Sequence, residues 1–126
     1  MAILLLAKSG MARILIADGS DPEFSTALAK VLTLKGLGTT ATVSGGVDVL
    51  WMTILTEPPD LLLVDGKSAA EILEKIRGTP RAQAVRVLVI DADRQIARGL
   101  PGVHGYIQSP APPQAYVQAV RDVLAV

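Results

Sequence analysis

The sequence predicts an α/β domain of three layers, a five-stranded parallel sheet between helices. Three observations carry this. Short apolar runs alternate with helix-period segments from Arg13 to Leu124 without an interruption. The run Leu61-Leu62-Leu63-Val64 contains no polar residue, as in a parallel strand covered on both faces. A carboxylate, Asp65, follows that run directly, at the sheet edge where open α/β sheets place their chemistry.

The elements follow in order. Arg13 to Ala17 reads as strand 1. Asp21 caps the first helix and Pro22 takes its first position, with Phe24, Ala27, Leu28, Val31 and Leu32 expected inward and Gly36 at its end. Thr39 to Val43 is a β-branched strand 2. Ser44 is placed to cap the second helix, where Val47, Leu50, Trp51, Ile54 and Leu55 form one apolar stripe and Glu57-Pro58-Pro59 ends it. Strand 3 is Leu61 to Val64. The third helix is expected from about Ser68 to Arg77, with Ile72, Leu73 and Ile76 inward and Gly78-Thr79-Pro80 as its break. Val85 to Ile90 is strand 4, and Val103 to Ile107 is strand 5. The stretch between them, 91–102, has room for a short helix at most. Pro112 to Leu124 is the last helix, with Tyr116, Val117, Val120, Val123 and Leu124 on one face.

Composition narrows the function classes. The chain has 126 residues, half of them apolar, 19% charged and a formal net charge of zero, which suits one globular domain. Charge balance offers no general attraction to nucleic acid or an anionic membrane, and neither is expected as a partner. No cysteine is present, which removes disulfides, thiolate zinc sites and a cysteine nucleophile. His104 is the single histidine, so a histidine dyad within one chain is excluded. A cytoplasmic location is the default expectation.

Residues 1–10 stand apart as an N-terminal extension, with residues 11–126 as the domain. The run Ala2-Ile3-Leu4-Leu5-Leu6-Ala7 is too short for a membrane span and lacks the basic start of a signal peptide. It is similar to Ala12-Arg13-Ile14-Leu15-Ile16-Ala17 at an offset of ten. Two readings stay open: an extension without function, or an extra strand that pairs along a sheet edge or with a second chain.

The chain resembles the receiver domains of two-component response regulators. The likeness rests on Ile14-Leu15-Ile16-Ala17-Asp18, on Glu57-Pro58-Pro59-Asp60-Leu61-Leu62-Leu63-Val64-Asp65 and on Gly105-Tyr106-Ile107-Gln108-Ser109-Pro110. It implies a flavodoxin-like fold with strand order 2-1-3-4-5. It also implies the phosphoacceptor position at Asp65, an acidic pocket with Asp18 and Asp91, and switch-like positions at Asp91, Tyr106 and Ser109. The departures are chemical. The second acid after strand 1 is Gly19, the hydroxyl position after strand 4 is the acidic Asp91, and the lysine before Pro110 is Ser109. The loop after Asp65 is shorter than receivers have.

Phosphoryl transfer to a carboxylate relies on a divalent cation and fixed positive charge. Gly19 supplies no ligand and Ser109 no ammonium. Asp91 adds a charge that repels a phosphoryl group, by about 4 kcal/mol for like charges 4 Å apart at an effective dielectric near 20. The expectation is a stand-alone pseudo-receiver with Asp65 silent, no catalytic residue, no cofactor and no enzymatic activity. It would act through a protein partner, such as a signalling protein or histidine kinase, or as a homodimer. Two alternatives remain: an atypical single-domain regulator phosphorylated at Asp65, and a small-molecule or nucleotide-binding module. Asp18, Asp65 and Asp91 all end parallel strands on one edge, so a residual magnesium site at Asp18 and Asp65 is the corresponding cofactor alternative. The working face is expected on segment 91–102, strand 5 and the last helix, where Arg98 and Arg121 are candidate contacts and Tyr106 is either exposed or packed inward.

Overall fold

A computed structural model describes residues 12–19, 21–93, 95–96 and 100–125. The extension 1–10 and Arg98, both part of the expectations above, lie outside the described residues. The elements are β1 (Arg13–Ala17), α1 (Pro22–Leu34), β2 (Thr39–Val43), α2 (Gly46–Thr56), β3 (Leu61–Val64), α3 (Gly66–Arg77), β4 (Arg86–Asp91), β5 (Gly105–Gln108) and α4 (Pro113–Ala125). A 3₁₀ turn, Pro80–Ala82, joins α3 to β4.

All five strands are parallel and run in the order β2-β1-β3-β4-β5. The order puts β3 in the centre, and all four of its residues are buried. This explains its unbroken apolar run: strand residues alternate between faces, and both faces here are covered. One core lies between the sheet and helices α2 and α3, with Leu50, Ile54, Leu62, Val64, Ile72 and Val87. The other lies under α1 and α4, with Leu28, Leu32, Leu61, Leu63, Val117 and Val120. Trp51 is half-buried against the first of these, as its place in the stripe predicted.

Several local expectations are corrected. Ala27 is exposed, because Ser25, Leu28 and Leu32 form the buried line of α1. Ser44 does not cap α2. That helix begins after Gly45 at φ 115° with no side-chain cap, and the Ser44 hydroxyl is committed elsewhere. Helix α3 starts two residues early, at Gly66, because Asp65 itself caps it. Strands β4 and β5 each begin later than predicted and end one residue later, and α4 is displaced by one residue.

Candidate functional site

The carboxyl ends of β1, β3, β4 and β5 converge on a cleft of about 290 Å³. Gly19, Asp21, Phe24 and Ser25 come from the β1–α1 side, Asp65 from β3, Asp91 from β4, and Ser109 from beyond β5. The three carboxylates of this lining, Asp21, Asp65 and Asp91, are not accompanied by any lysine or arginine among the described lining residues.

Asp65 leaves β3 with extended backbone and turns straight into α3. Its Oδ1 accepts from the Ser68 N–H at 2.8 Å, and its Oδ2 accepts from the Ser68 hydroxyl at 3.2 Å. Both oxygens therefore serve the first turn of its own helix. This is an N-cap arrangement, which satisfies an amide that the helix leaves unpaired. The short loop noted in the sequence and this cap are one feature: no residues separate the strand-end acid from the helix.

Asp91 binds the neighbouring amide. Its Oδ2 accepts from the Gly66 N–H at 2.9 Å and its Oδ1 from the Asp93 N–H at 2.9 Å. The carboxylate thus ties the start of α3 to the segment after β4. Gly66 permits this closeness. A Cβ there would lie 2.7 Å from Asp91 Oδ2 and would collide with the Ile96 side chain.

Ser109 lines the same cleft. Its hydroxyl pairs with the Tyr116 hydroxyl at 2.9 Å, and the Ala111 N–H donates to the same tyrosine oxygen at 3.2 Å. Tyr116 is buried and meets Phe24 edge-on, with ring centroids 5.4 Å apart. The Ser109–Pro110 peptide is cis. The position that resembles the receiver lysine therefore fastens α4 to the end of β5.

Asp18 is turned toward β2, where its Oδ2 accepts from the Ser44 hydroxyl at 2.6 Å. The Ser25 hydroxyl nearby, and then Ser44, hold its carboxyl below the usual carboxylate range against a smaller opposing effect of burial. Oδ1 is buried with no hydrogen-bond partner among the described residues, and the bond formed is the one from Ser44. Gly19 leaves space: a Cβ there would sit 3.5 Å from Asp65 Oδ2, an ordinary contact.

Tyr106 takes the inward placement. It is half-buried against the α2–α3 core and its hydroxyl donates to the Asp91 carbonyl oxygen at 3.2 Å. Arg121 is exposed on α4. The structure thus gathers Asp65, Asp91 and Ser109 around one cleft, while Asp18 is bonded to Ser44 and is not part of its lining. Sequence reasoning missed Ser68, Ser44 and Tyr116. Only Ser68 had a readable signal, an acid and a hydroxyl three residues apart at a helix start.

Magnesium takes near-octahedral oxygen ligation with at least one available carboxylate. Among the described residues no three acidic or histidine side chains are grouped to hold a metal ion. Asp65 and Asp18 each accept hydrogen bonds from serine, while Oδ1 of Asp18 has no hydrogen-bond partner among the described residues.

No family model and no curated protein matches the chain. Solved structures do. The signal receiver domain of a putative response regulator, NarL, from Mycobacterium tuberculosis superposes with a TM-score of 0.72 at 20% identity, over 91% of this chain and 97% of that one. A response regulator from Thermotoga maritima gives 0.75 at 18% identity, over 92% and 99%. A putative pilus assembly-related protein from Burkholderia pseudomallei gives 0.71 at 22% identity, over 92% and 91%. At such identities the likeness is one of fold, and the chain has the flavodoxin-like fold of response-regulator receiver domains.

Proposed function

We propose that the protein is a pseudo-receiver: a signalling domain that acts by binding a protein partner, without phosphotransfer at Asp65. The observation that carries this reading is the cleft lining, three carboxylates and no cation among its described residues, with both Asp65 oxygens held by Ser68. A phosphoryl group on Asp65 would have to displace the Ser68 bonds. It would also meet the Asp91 carboxylate where the Gly66 N–H is already taken. No described residue of the lining balances the added charge. The partner would be a signalling protein, a histidine kinase or a second copy of the chain. A cleft of about 290 Å³ lies at the lower limit of small-molecule sites, which disfavours a ligand at these strand ends.

Acetyl phosphate or beryllofluoride with magnesium tests the reading, followed by intact mass and amide NMR. The expected result is no adduct. A saturable change that disappears in Asp65→Asn would establish an active receiver instead.

A further inference from the structure

Strand β2 pairs only with β1 among the described residues. Thr39 donates its N–H to the Ala12 carbonyl, and Val43 accepts from the Asp18 N–H. Backbone groups alternate along a strand, so Thr39, Ala41 and Val43 face β1 while Thr40 and Thr42 turn theirs outward. No charged side chain, proline or bulge guards this edge, which are the usual protections.

Grooves flank the edge on both faces of the sheet. On one side, Thr39 to Ala41 and the α2 residues Val49, Met52 and Thr53 line an open groove of about 700 Å³, with the charged Arg13, Asp48 and Glu57 also in its wall. On the other, Thr40 to Thr42 and the α1 residues Ala29, Thr33 and Leu34 enclose about 480 Å³. The large exposed apolar side chains of the described residues are Leu34, Val49 and Met52, and every one of them lines these two grooves. A strand seated here would meet Leu34 on one face and Val49 and Met52 on the other, a setting that favours apolar side chains on both of its faces.

The chain contains an unbroken apolar run outside the described residues: Ile3-Leu4-Leu5-Leu6-Ala7. We propose that this segment adds antiparallel to the outer edge of β2 of its own chain as a sixth strand, with alternate side chains entering the α1 and α2 grooves. The connection is feasible. From the new position to β1 is two strand spacings, about 10 Å. Residues 8–12 can reach about 17 Å when extended. The antiparallel direction follows because the segment must end beside Thr39, next to the start of β1.

Amide exchange by NMR tests the pairing. In the full chain the Thr40 and Thr42 amides should exchange at least tenfold more slowly than in the double variant Leu4→Asp, Leu5→Asp, which puts a charge in each groove. Thr39, Ala41 and Val43 should not change. Equal exchange at Thr40 and Thr42 in both proteins would overturn the proposal. A second arm uses the lack of native cysteine. Ala41→Cys is combined singly with Ile3→Cys, Leu4→Cys, Leu5→Cys or Leu6→Cys and oxidised at low concentration. At least one pair should close within a monomer, since residues opposite one another in an antiparallel pair lie within disulfide reach. Closure only between chains would make a second copy the occupant and overturn the placement. Failure of all four pairs would overturn it as well.

Discussion

At the scale of single residues, the outcome turns on what each acid is bonded to. Asp65 and Asp91 each commit one oxygen to a backbone amide at the start of α3, Asp65 to Ser68 and Asp91 to Gly66. A carboxylate in this role stabilises the helix whether or not it does chemistry, since it satisfies unpaired amides and meets the positive end of the helix dipole. The prediction at this scale separates the two roles. Asn caps a helix about as well as Asp, so Asp65→Asn should leave the thermal midpoint nearly unchanged. Asp65→Ala should cost about 1 kcal/mol in a urea titration. Equal loss in both variants would mean that the charge, and not the cap, matters at Asp65. The identity of the site residues was legible because strand-end acids are easy to place. Their bonding was not. Ser109 carries no sign in the sequence that it would meet Tyr116, which lies seven residues on and across a cis peptide.

At the scale of elements, helices and strands are locked at their ends by side chains from other elements. The last turn of α4 has no basic residue of its own. Arg86, at the start of β4, donates to the Val123 and Leu124 carbonyls at 3.1 and 3.0 Å and supplies the positive charge that this helix end favours. His104 extends the β4–β5 ladder by one step. Its N–H donates to the Val87 carbonyl, and its Nδ1 accepts from the Val87 N–H at 3.0 Å. An accepting Nδ1 must be unprotonated. Partial burial, and then the charge of Arg86, push the His104 pKa below 6.5. A histidine pKa lowered by folding stabilises the native state fully above the unfolded value. That contribution is lost as pH falls from about 6.5 through the folded pKa. Stability measured by urea between pH 8 and pH 5 should therefore decline on the acid side. In His104→Ala this part of the decline should be absent, with about 1 kcal/mol less stability at pH 8. A parallel pH profile in both proteins would remove His104 from the account. Neither lock was readable in sequence, because each joins residues 17 or more apart through a fold that periodicity alone does not specify.

At the scale of the whole molecule, the fold was read well because its cause is global: β3 is apolar throughout since two helix layers cover it, and strands β1, β2 and β3 fall at their predicted bounds. The site is a different case, since its chemistry depends on the sum of charges that four strand ends bring together. That sum gives the last prediction. Asp91→Thr alone relieves one negative charge but restores neither a metal-side acid nor an ammonium, so it should not make Asp65 phosphorylatable. Adding Gly19→Asp and Ser109→Lys rebuilds the pattern of acids and cation that a divalent ion and phosphoryl group require. Position 19 has space for a side chain beside Asp65 Oδ2. The triple variant should gain magnesium binding measurable by isothermal titration, where the parent and the single variant show none. It should also be less stable by about 1–3 kcal/mol, because Gly66 loses its charged acceptor and Tyr116 loses the Ser109 hydroxyl. A phosphorylatable Asp91→Thr single variant would show that the Asp91 charge, and not the missing ligand and lysine, is what silences Asp65. The cleft would then be one substitution away from an active receiver.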